Sequence, residues 1–317
     1  ASGGPALVIA PTSVCPNWID EARRFAPTLE VSLFGPGDRQ KMLEGVGPFR
    51  LVVCSYGLLQ QETDMLAGVT WHTVLLDEAQ AIKNVATKRS QAALRLQGDF
   101  RLITTGTPIE NHLGELWNLF RFLNPGLLGS LEQFNQRYAV AVERYQDKEA
   151  RNRLRRLIQP FMLRRTKSEV LQELPSRTEI LLKVELSEEE LALYEALRRK
   201  AIETLQSSEG TPGQRQLRIL AELMKLRRAA CNSRLVLPGS AISSSKLAEF
   251  ASILDELLDN RHKALVFSQF VDHLTLIREH MDARGISYQY LDGSTPGPER
   301  KRRVDAFQAG EGDVFLI

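Results

Sequence analysis

The stretch Val-Leu-Leu-Asp-Glu-Ala-Gln at residues 74–80 decides the fold class of this 317-residue chain. Three apolar residues run directly into two adjacent carboxylates, and an unbroken apolar run is typical of a strand that is buried on both faces of a parallel sheet. In open parallel sheets, ligands bind beyond the carboxyl ends of the strands. The acid pair Asp77 and Glu78 is therefore predicted to lie where a ligand would sit.

Two adjacent acids at such a strand end can divide the work of nucleotide hydrolysis. Asp77 would hold a Mg²⁺ ion, often through water, and Glu78 would orient or deprotonate the attacking water. The alternative is a strand that runs into a solvated turn, which is the commoner explanation for an isolated Asp-Glu pair. The rest of the sequence has to distinguish the two.

Three further apolar runs end in small or hydroxyl residues and favour the ligand-binding explanation. They are ALVIAPT (6–12), RLITTGTP (101–108) and KALVFSQF (263–270). Thr105 and Thr107 flank Gly106, so backbone and hydroxyl groups can both approach a charged group closely. Strand-like and helix-like runs alternate over residues 1–122 and again from Lys246 onward, which predicts parallel α/β units.

Several longer segments resemble the Swi/Snf-type ATPases, the double-stranded-DNA translocases of helicase superfamily two. The segments that carry the resemblance are LVIAPTSVCPNW (7–18), DEAQAIKN (77–84), TGTPIENHLGELWNLFRFLNPGLLG (105–129), PFMLRRTKSEVLQELP (160–175), KALVFSQF (263–270) and YLDGSTPGPERKRRVDAFQ (290–308). The 105–129 block, together with LRR-x-K, is specific to this family rather than to helicases at large. The ending DEAQ, in place of DEAH, resembles bacterial members.

The resemblance implies an α/β fold of two RecA-like parallel-sheet lobes, both truncated, with helical insertions between them. It implies a first lobe at residues 1–124, a helical insertion and interlobe linker at 125–175, a second-lobe strand and helical insertion at 176–240, and the first part of a second lobe at 241–317.

Local patterns add three expectations for the region after residue 175. Residues 178–184 (TEILLKV) are predicted to form a strand, and Ser187 and Glu190 a capping box that starts the next helix. A long helix is predicted around residues 214–231. Its apolar face would carry Leu217, Leu220, Leu223, Leu226 and Ala230.

The same resemblance implies an ATP-driven motor with ATP and Mg²⁺ as cofactors and double-stranded DNA as partner. A DNA-bound protein is a further expected substrate. Asp77 and Glu78 would be the catalytic residues, Asp77 would bind the metal, and both would contact the nucleotide together with Thr105, Gly106 and Thr107. The implied nucleic-acid contacts are Pro11, Thr12, Ser55, Tyr56, Arg164, Arg165, Ser268, Gln269, Gly293, Ser294, Thr295 and Arg300.

Simpler roles compete at several of these positions. Tyr56 is equally well explained as a core residue, and packing on the sheet is the favoured role of Trp18. Seven Lys or Arg and no acid lie between Arg151 and Lys167, and a solvated helix face explains such a run as well as DNA binding does. The four basic side chains at residues 300–303 point around most of a helical turn, so they cannot all reach one phosphate backbone.

Composition limits the class of protein. The net charge of +2 says little about partners, and three widely spaced cysteines argue for a reducing compartment without a disulfide framework. No spacing of Cys and His suggests zinc, and no apolar run is long enough to span a membrane. We therefore expect no membrane association, a monomer, and a cytoplasmic, nucleoid-associated location in a bacterium or a nuclear one in a eukaryote.

The sequence contains no G-x-x-x-x-G-K-[ST] phosphate-binding loop. The family carries that loop shortly before the strand that starts here at Ala6, and it carries a further arginine in two motifs beyond Ile317. The expectation is an internal fragment, inactive alone as an ATPase, of a DNA-dependent ATPase. A non-catalytic nucleic-acid-binding or scaffold module derived from such a motor is the alternative.

Overall fold

Two parallel sheets organise the chain, one in Ala1–Leu174 (unit 1) and one in Pro175–Ile317 (unit 2). The computed structural model describes residues 3–35, 37–106, 112–171, 173, 175, 177–207 and 211–317, with the side chain of Ser168 excepted. The finer domain boundaries at 124, 175 and 240 stay a prediction.

The sheet of unit 1 has five parallel strands in the order β2-β3-β1-β4-β5. Its strands are β1 (Ala6–Ala10), β2 (Glu30–Leu33), β3 (Arg50–Ser55), β4 (Thr70–Leu76) and β5 (Gln97–Ile103). The central strands β1 and β3 are almost continuously buried, as expected for strands covered on both faces. Strands β1, β4 and β5 fall where the apolar runs at 6–12, 74–80 and 101–108 predict them, to within a few residues.

Helices connect these strands and cover the sheet. In chain order they are α1 (Cys15–Phe25), α2 (Arg39–Glu44), α3 (Tyr56–Gln61), α4 (Thr63–Ala67), α5 (Lys88–Arg95), α6 (Leu113–Leu123), α7 (Leu131–Phe134), α8 (Lys148–Ile158) and α9 (Lys167–Val170). Short 3-10 helices at Ala79–Ile82 and Gln159–Phe161 and a π-helix at Asn135–Arg144 complete unit 1. Residues 125–170 are thus mainly helical, as the sequence predicts.

Helix α6 joins the sheet to the helical part of unit 1. Phe122 is fully buried in the main core beside the sheet, whereas Trp117 and Phe120 pack in a second cluster with residues of α7 and α8. These aromatic residues therefore build the core and the base of the helical insertion.

Unit 2 contains a three-stranded parallel sheet in the order β6-β8-β7. Its elements are α10 (Glu188–Gln206), α11 (Pro212–Ala229), a 3-10 helix (Ser233–Leu235), α12 (Ser245–Asp259), β6 (Ala264–Val266), α13 (Val271–Ala283), β7 (Tyr288–Tyr290), α14 (Gly297–Gln308) and β8 (Val314–Leu316). The helix–strand alternation predicted from Lys246 onward is confirmed.

The strand predicted at residues 178–184 is not formed. These residues have no regular secondary structure, and Ile180 and Leu181 are 77% and 84% exposed. A strand needs a neighbour for its backbone hydrogen bonds, and no described strand pairs with this segment. The β-branched and aliphatic composition of the segment is therefore not sufficient to make it a strand here.

The long helix predicted near residues 214–231 is present as α11, but its leucine face is largely uncovered. Leu217, Leu220 and Leu223 are all more than half exposed, while Leu226 is partly buried. Helix α11 packs against α10, and these three leucines nevertheless remain more than half exposed. The apolar spacing predicts the helix correctly and its burial incorrectly.

All three cysteines are free thiols, and two lie deep in unit 1. Burial raises the pKa of the Cys15 thiol to about 11 and that of the Cys54 thiol to about 12. Cys231 in unit 2 is only partly buried. Among the described residues, no helix combines the length and the apolar character that crossing a membrane requires.

The capping box predicted at Ser187 is confirmed and does more than start α10. Glu190 accepts a hydrogen bond from the backbone N–H of Ser187 at 2.9 Å and from that of Ser245 at 3.0 Å, and the Ser245 hydroxyl donates to it as well. Burial acts to raise the pKa of Glu190, but these hydrogen bonds outweigh burial and hold the pKa below its ordinary value of 4.5. One carboxylate thus ties the start of α10 to the start of α12.

We predict that Glu190→Gln destabilises unit 2 by about 1–3 kcal/mol at about pH 7, because hydrogen bonds to a charged group are lost. The folded-state pKa is depressed, so the contribution is present above 4.5 and is lost as the pH falls through the lower folded-state value. Urea unfolding followed by circular dichroism and by hydrogen exchange in α10 and α12 measures both effects. Glu189→Gln, at the exposed neighbour, is the matched control and should change stability by less than about 0.5 kcal/mol. An equal effect of both variants would contradict the interlocking role of Glu190.

Candidate active site

The register of the first sheet brings the polar strand ends of unit 1 to one edge. Ile9 on β1 pairs with Leu76 on β4, and Ala10 pairs with Ser55 on β3. Beyond the last paired residues, the backbone N–H of Asp77 donates to the carbonyl of Ile9 at 2.8 Å. The residues that follow β1, β3 and β4 therefore share the carboxyl edge, as the sequence predicts.

The carboxylate of Asp77 is held by three donors. Oδ1 accepts hydrogen bonds from the Glu78 backbone N–H at 2.9 Å and from the Thr104 hydroxyl at 2.5 Å. Oδ2 accepts a hydrogen bond from the indole N–H of Trp18 at 2.8 Å. The backbone carbonyl of Asp77 accepts a further hydrogen bond from the Tyr56 hydroxyl at 2.8 Å. Asp77 is thus fixed from three different segments of the chain.

Glu78 lies in the left-handed region of backbone space, with φ 50° and ψ 52°. This conformation is unusual for a residue with a side chain and costs about 1–2 kcal/mol. The side chain is partly exposed, and its Oε2 accepts a hydrogen bond from Gln80 Nε2 at 2.7 Å. Gln80 Oε1 in turn accepts from the Thr105 hydroxyl at 2.9 Å. A side-chain relay therefore links the acid pair to the end of β5.

Two side chains of α6 hold the loop that follows the acid pair. Asn118 is fully buried, and its Nδ2 donates to the carbonyl of Ile82 at 2.5 Å and to the Ser90 hydroxyl at 2.7 Å. Lys83 forms an ion pair with the buried Glu115, with 3.5 Å between Nζ and Oε1. These contacts give the strained turn at Glu78 a rigid base.

The donor set at this edge fits a magnesium nucleotide. The described residues contain no cluster of three or more His, Cys, Asp or Glu that would cage a metal directly. Magnesium is usually held by one or two carboxylates, water and the phosphates of its nucleotide. Asp77 is partly exposed at the strand end and keeps lone-pair capacity on Oδ2, so it suits such a ligand.

The four predicted nucleic-acid contacts after β1 and β3 differ in solvent exposure. Thr12 is exposed on the turn after β1, and Pro11 is partly exposed. Ser55 is buried and caps α3, accepting from the Leu58 backbone N–H at 3.2 Å. Tyr56 is only 4% exposed and donates to Asp77, so of its two competing roles the structure shows the core role.

The region after β5 brings together residues predicted for two different ligands. Thr105, Gly106 and Arg164 line one cavity of about 300 Å³, most of whose other walls are apolar residues of α6 and the 161–163 segment. Arg165 is exposed, and no ion pair of Arg164 or Arg165 is seen in the described part of the chain. Thr107, the remaining predicted nucleotide contact, lies outside the described residues.

The predicted contacts of unit 2 follow the strands of the second sheet. Ser268 and Gln269 come after β6, and Gln269 Oε1 accepts a hydrogen bond from Arg227 at 2.6 Å. Gly293 is exposed in the turn after β7. The hydroxyls of Ser294 and Thr295 both donate to Asp292 Oδ1, at 2.6 and 3.2 Å.

Those hydroxyls, a further hydrogen bond from Tyr290 and the Ser294 backbone N–H hold the pKa of Asp292 far below its ordinary value. Three arginines of the basic cluster at 300–303 also form contacts within unit 2. Arg300 donates to the carbonyl of Asp292 at 2.7 Å, and Arg302 and Arg303 both pair with Glu299 at 2.7 Å. Hydrogen bonds from these two arginines lower the pKa of Glu299 to about 2. The single carboxylate of Glu299 thus restrains two of the four basic side chains and offsets one of their four charges.

Three residues of the site escape the sequence analysis: Trp18, Gln80 and Thr104. Thr104 directly follows the apolar run of β5, so its position at the strand end is a signal that the sequence does contain. The contact between Trp18 and Asp77 spans 59 positions and has no local signature.

Two parallel sheets with polar groups at their carboxyl edges place the chain among the open α/β proteins, which bind ligands at that edge. Residues 2–235 match the family model described as SNF2-related domain, and residues 246–317 match the one described as Helicase conserved C-terminal domain. The chain belongs to the SNF2-related family, the Swi/Snf-type ATPases that its motifs resemble.

Relatives in bacteria and plants align with almost the whole chain. The putative ATP-dependent helicase/translocase YwqA of Bacillus subtilis (strain 168) is 37% identical over 99% of this chain and 35% of its own length. The ISWI chromatin-remodeling complex ATPase CHR17 of Arabidopsis thaliana is 32% identical over 99% of this chain and 30% of its own length. The chain spans about a third of the length of these curated relatives.

Solved structures agree with this assignment. The Sulfolobus solfataricus SWI2/SNF2 ATPase core in complex with dsDNA matches with a TM-score of 0.52 and 33% identity, over 99% of this chain and 67% of that one. The Sulfolobus solfataricus SWI2/SNF2 ATPase core domain matches with a TM-score of 0.51. The fold class predicted from the sequence, two RecA-like parallel-sheet lobes, is confirmed.

The left-handed backbone at Glu78 generates a prediction about stability. Glu78→Gly and Glu78→Ala both remove the carboxylate, but only glycine adopts this conformation without steric cost. Glu78→Gly should therefore be more stable than Glu78→Ala by about 1 kcal/mol. Trp18, Trp71 and Trp117 are the three tryptophans of the chain and all lie in unit 1, so tryptophan fluorescence in urea follows the relevant unit. Equal stability of the two variants would show that the turn carries no strain.

Proposed function

We propose that this chain is part of an ATP-dependent double-stranded-DNA translocase of the chromatin-remodelling type, which couples ATP hydrolysis to movement on DNA or to displacement of DNA-bound proteins. The observation that carries the proposal is the acid pair at the carboxyl edge of the first sheet, with Asp77 fixed by three donors and Glu78 linked through Gln80 to Thr105. The matched relatives are named as ATP-dependent helicases and remodelling ATPases, which supports it.

Each residue of the pair has a separate role in the proposed hydrolysis. Asp77 presents one carboxylate, already oriented by Trp18 and Thr104, to the magnesium nucleotide through water. Glu78 orients the attacking water and accepts its proton, and Gln80 holds the Glu78 carboxylate in place. The magnesium nucleotide, when bound, would supply the γ-phosphoryl group that passes to water, with ADP as the leaving group, and the metal charge that offsets the negative charge of the phosphates. Thr105, Gly106 and Thr107 complete the proposed nucleotide contacts.

Binding of duplex DNA would be directed to phosphates and nearly independent of sequence. The most available candidates are Thr12 on the turn after β1 and the exposed Arg164 and Arg165. Pro11, Ser268, Gln269, Gly293, Ser294, Thr295 and Arg300 stay proposed contacts. For Ser55 and Tyr56 we propose instead a supporting role, since both side chains are buried.

A non-catalytic DNA-binding or scaffold module derived from such a motor is the second candidate. It shares the fold and the basic residues but makes no use of a water-orienting acid. The strained conformation of Glu78 favours the catalytic candidate, because such strain concentrates at functional sites and persists only where the surroundings enforce it.

The remaining parts of the proposal are coarser. We propose ATP and Mg²⁺ as cofactors, a monomeric motor, and a location wherever DNA is handled, which is the cytoplasm and nucleoid in a bacterium or the nucleus in a eukaryote. The matched relatives include bacterial, plant and animal proteins, which supports either location.

The acid pair is tested in the full-length protein that carries this chain. Glu78→Gln should abolish ATP turnover stimulated by double-stranded DNA while ATP binding stays largely intact, because the amide keeps the shape and loses the basic oxygen. Asp77→Asn should instead weaken the Mg²⁺-dependent step. Steady-state turnover and equilibrium nucleotide binding separate the two effects. Unchanged turnover in Glu78→Gln would remove the acid pair from the mechanism and favour the scaffold candidate.

The DNA contact is tested by the salt dependence of affinity. If about four phosphates are neutralised, log affinity falls against log salt with a slope near −3.6, so a fourfold rise in salt costs roughly 150-fold in affinity. Replacing Arg164 and Arg165 by Ala should flatten that slope by up to about two units, equally for unrelated duplexes.

The matched control is Arg302→Ala with Arg303→Ala; these two charges share the single carboxylate of Glu299, so their loss should flatten the slope less than the loss of Arg164 and Arg165 does. If the control flattens the slope and the Arg164/Arg165 pair does not, the DNA path belongs at residues 294–303, and Arg164 and Arg165 are structural.

A further inference from the structure

The indole of Trp18 joins the turn after β1 to the acid pair. Pro11 directly follows β1, and its carbonyl accepts hydrogen bonds from the backbone N–H groups of Val14 and Cys15 at 2.8 and 3.1 Å. The N–H of Trp18 then donates to the carbonyl of Val14 at 3.2 Å, which starts α1 directly from this turn. From the second turn of α1 the indole N–H reaches Asp77 Oδ2 at 2.8 Å.

Packing alone does not account for this arrangement. Trp18 is only partly buried against the small cluster on one face of the sheet. The other two tryptophans donate to backbone carbonyls, Trp71 to Leu66 at 2.9 Å and Trp117 to Gly129 at 3.0 Å. Trp18 alone among the three donates to a carboxylate, and a hydrogen bond to an ionised acceptor is roughly twice as strong as a neutral one.

The two oxygens of Asp77 are not equally restrained. Oδ1 has two donors, whereas Trp18 is the one donor found for Oδ2 within the described residues. The terminal torsion of an aspartate is broad and roughly two-fold, so removing one donor frees the carboxylate to rotate. The oxygen that Trp18 holds is therefore the one whose direction depends on the position of α1.

We propose that Trp18 is a positioning residue that couples DNA binding at the Pro11–Thr12 turn to the orientation of the Asp77 carboxylate, and so to the affinity for magnesium nucleotide. The inference rests on the proposed function and deepens it. A phosphate contact that shifts the turn shifts the start of α1, and the indole carries that shift to Oδ2. Couplings between two sites typically change affinity 5- to 150-fold, and they are reciprocal.

The test measures equilibrium binding rather than turnover, in the full-length protein with Glu78→Gln to prevent hydrolysis. The dissociation constant of a fluorescent ATP analogue with Mg²⁺ is measured with and without a saturating DNA duplex, and the ratio is the coupling factor. The Mg²⁺ concentration for half-maximal nucleotide binding is measured in parallel. The reciprocal ratio, the effect of magnesium nucleotide on DNA affinity, must agree with the first.

Trp18→Phe keeps an aromatic ring and removes the N–H. We expect its coupling factor to fall to near one and its half-maximal Mg²⁺ concentration to rise several-fold, about tenfold if the lost hydrogen bond is worth 1.4 kcal/mol. Its affinity for DNA without nucleotide should stay that of the parent. Trp71→Phe is the control, because it also removes an indole N–H in unit 1. Trp71 lies near the start of β4, at the opposite end of the strand from Asp77, so this variant should keep the parental coupling factor.

A folded Trp18→Phe protein with the parental coupling factor and Mg²⁺ dependence overturns the inference and leaves the proposed function standing. If Trp18→Phe does not fold, β-(3-benzothienyl)alanine at position 18 replaces the N–H with sulfur at nearly the same shape, and the same two readouts apply. If the parent shows no nucleotide binding, the proposed function fails, and the coupling role falls with it. If the parent binds nucleotide with an affinity that DNA does not change, the coupling inference alone is overturned.

Discussion

Parallel pairing of β1 with both β3 and β4 is the constraint on which unit 1 depends. The register that pairs Ile9 with Leu76 and Ala10 with Ser55 makes three chain segments leave the sheet at one edge. Because every strand runs in the same direction, each must be followed by a return connection, and the polar residue that opens each connection falls beside its neighbours. The proximity of Asp77, Tyr56 and the turn after β1 follows from hydrogen bonds between apolar strands, not from attraction between the polar groups themselves.

The edge concentrates features that oppose stability. Glu78 has a left-handed backbone, and Asp77 and Glu78 place two acids side by side. The surroundings offset this with directed hydrogen bonds to Asp77, with the Gln80 amide on Glu78, and with a rigid base in which Asn118 is fully buried. Residues outside the acid pair thus hold the two acids in their geometry. In unit 2 the corresponding edge is organised by a single acid, Asp292, whose hydrogen bonds fix the turn after β7.

What the sequence predicts correctly is what short-range physics controls. The end of β4 at Leu76 and the capping box at Ser187 both depend on residues within a few positions. Segment 178–184 fails because strand formation also requires a partner, which composition does not report. The packing of Trp18 on the sheet is predicted and observed, but its hydrogen bond to Asp77 crosses 59 positions and depends on the sheet register, so no local pattern indicates it. For the basic cluster at 300–303, helical geometry predicts that not all four side chains can face one phosphate backbone, but the pairing of Arg302 and Arg303 with Glu299 is seen only in the structure.

The distribution of the thiols has a practical consequence for measuring motion in this protein. Cys15 and Cys54 are buried, and their raised pKa values keep them protonated at neutral pH, where maleimide chemistry requires a thiolate. Cys231 is the most accessible of the three cysteines and lies in unit 2. A single dye can therefore be attached to unit 2 without first removing the native cysteines. Because the tryptophans are confined to unit 1, they can serve as energy-transfer donors to a dye attached at Cys231 in unit 2.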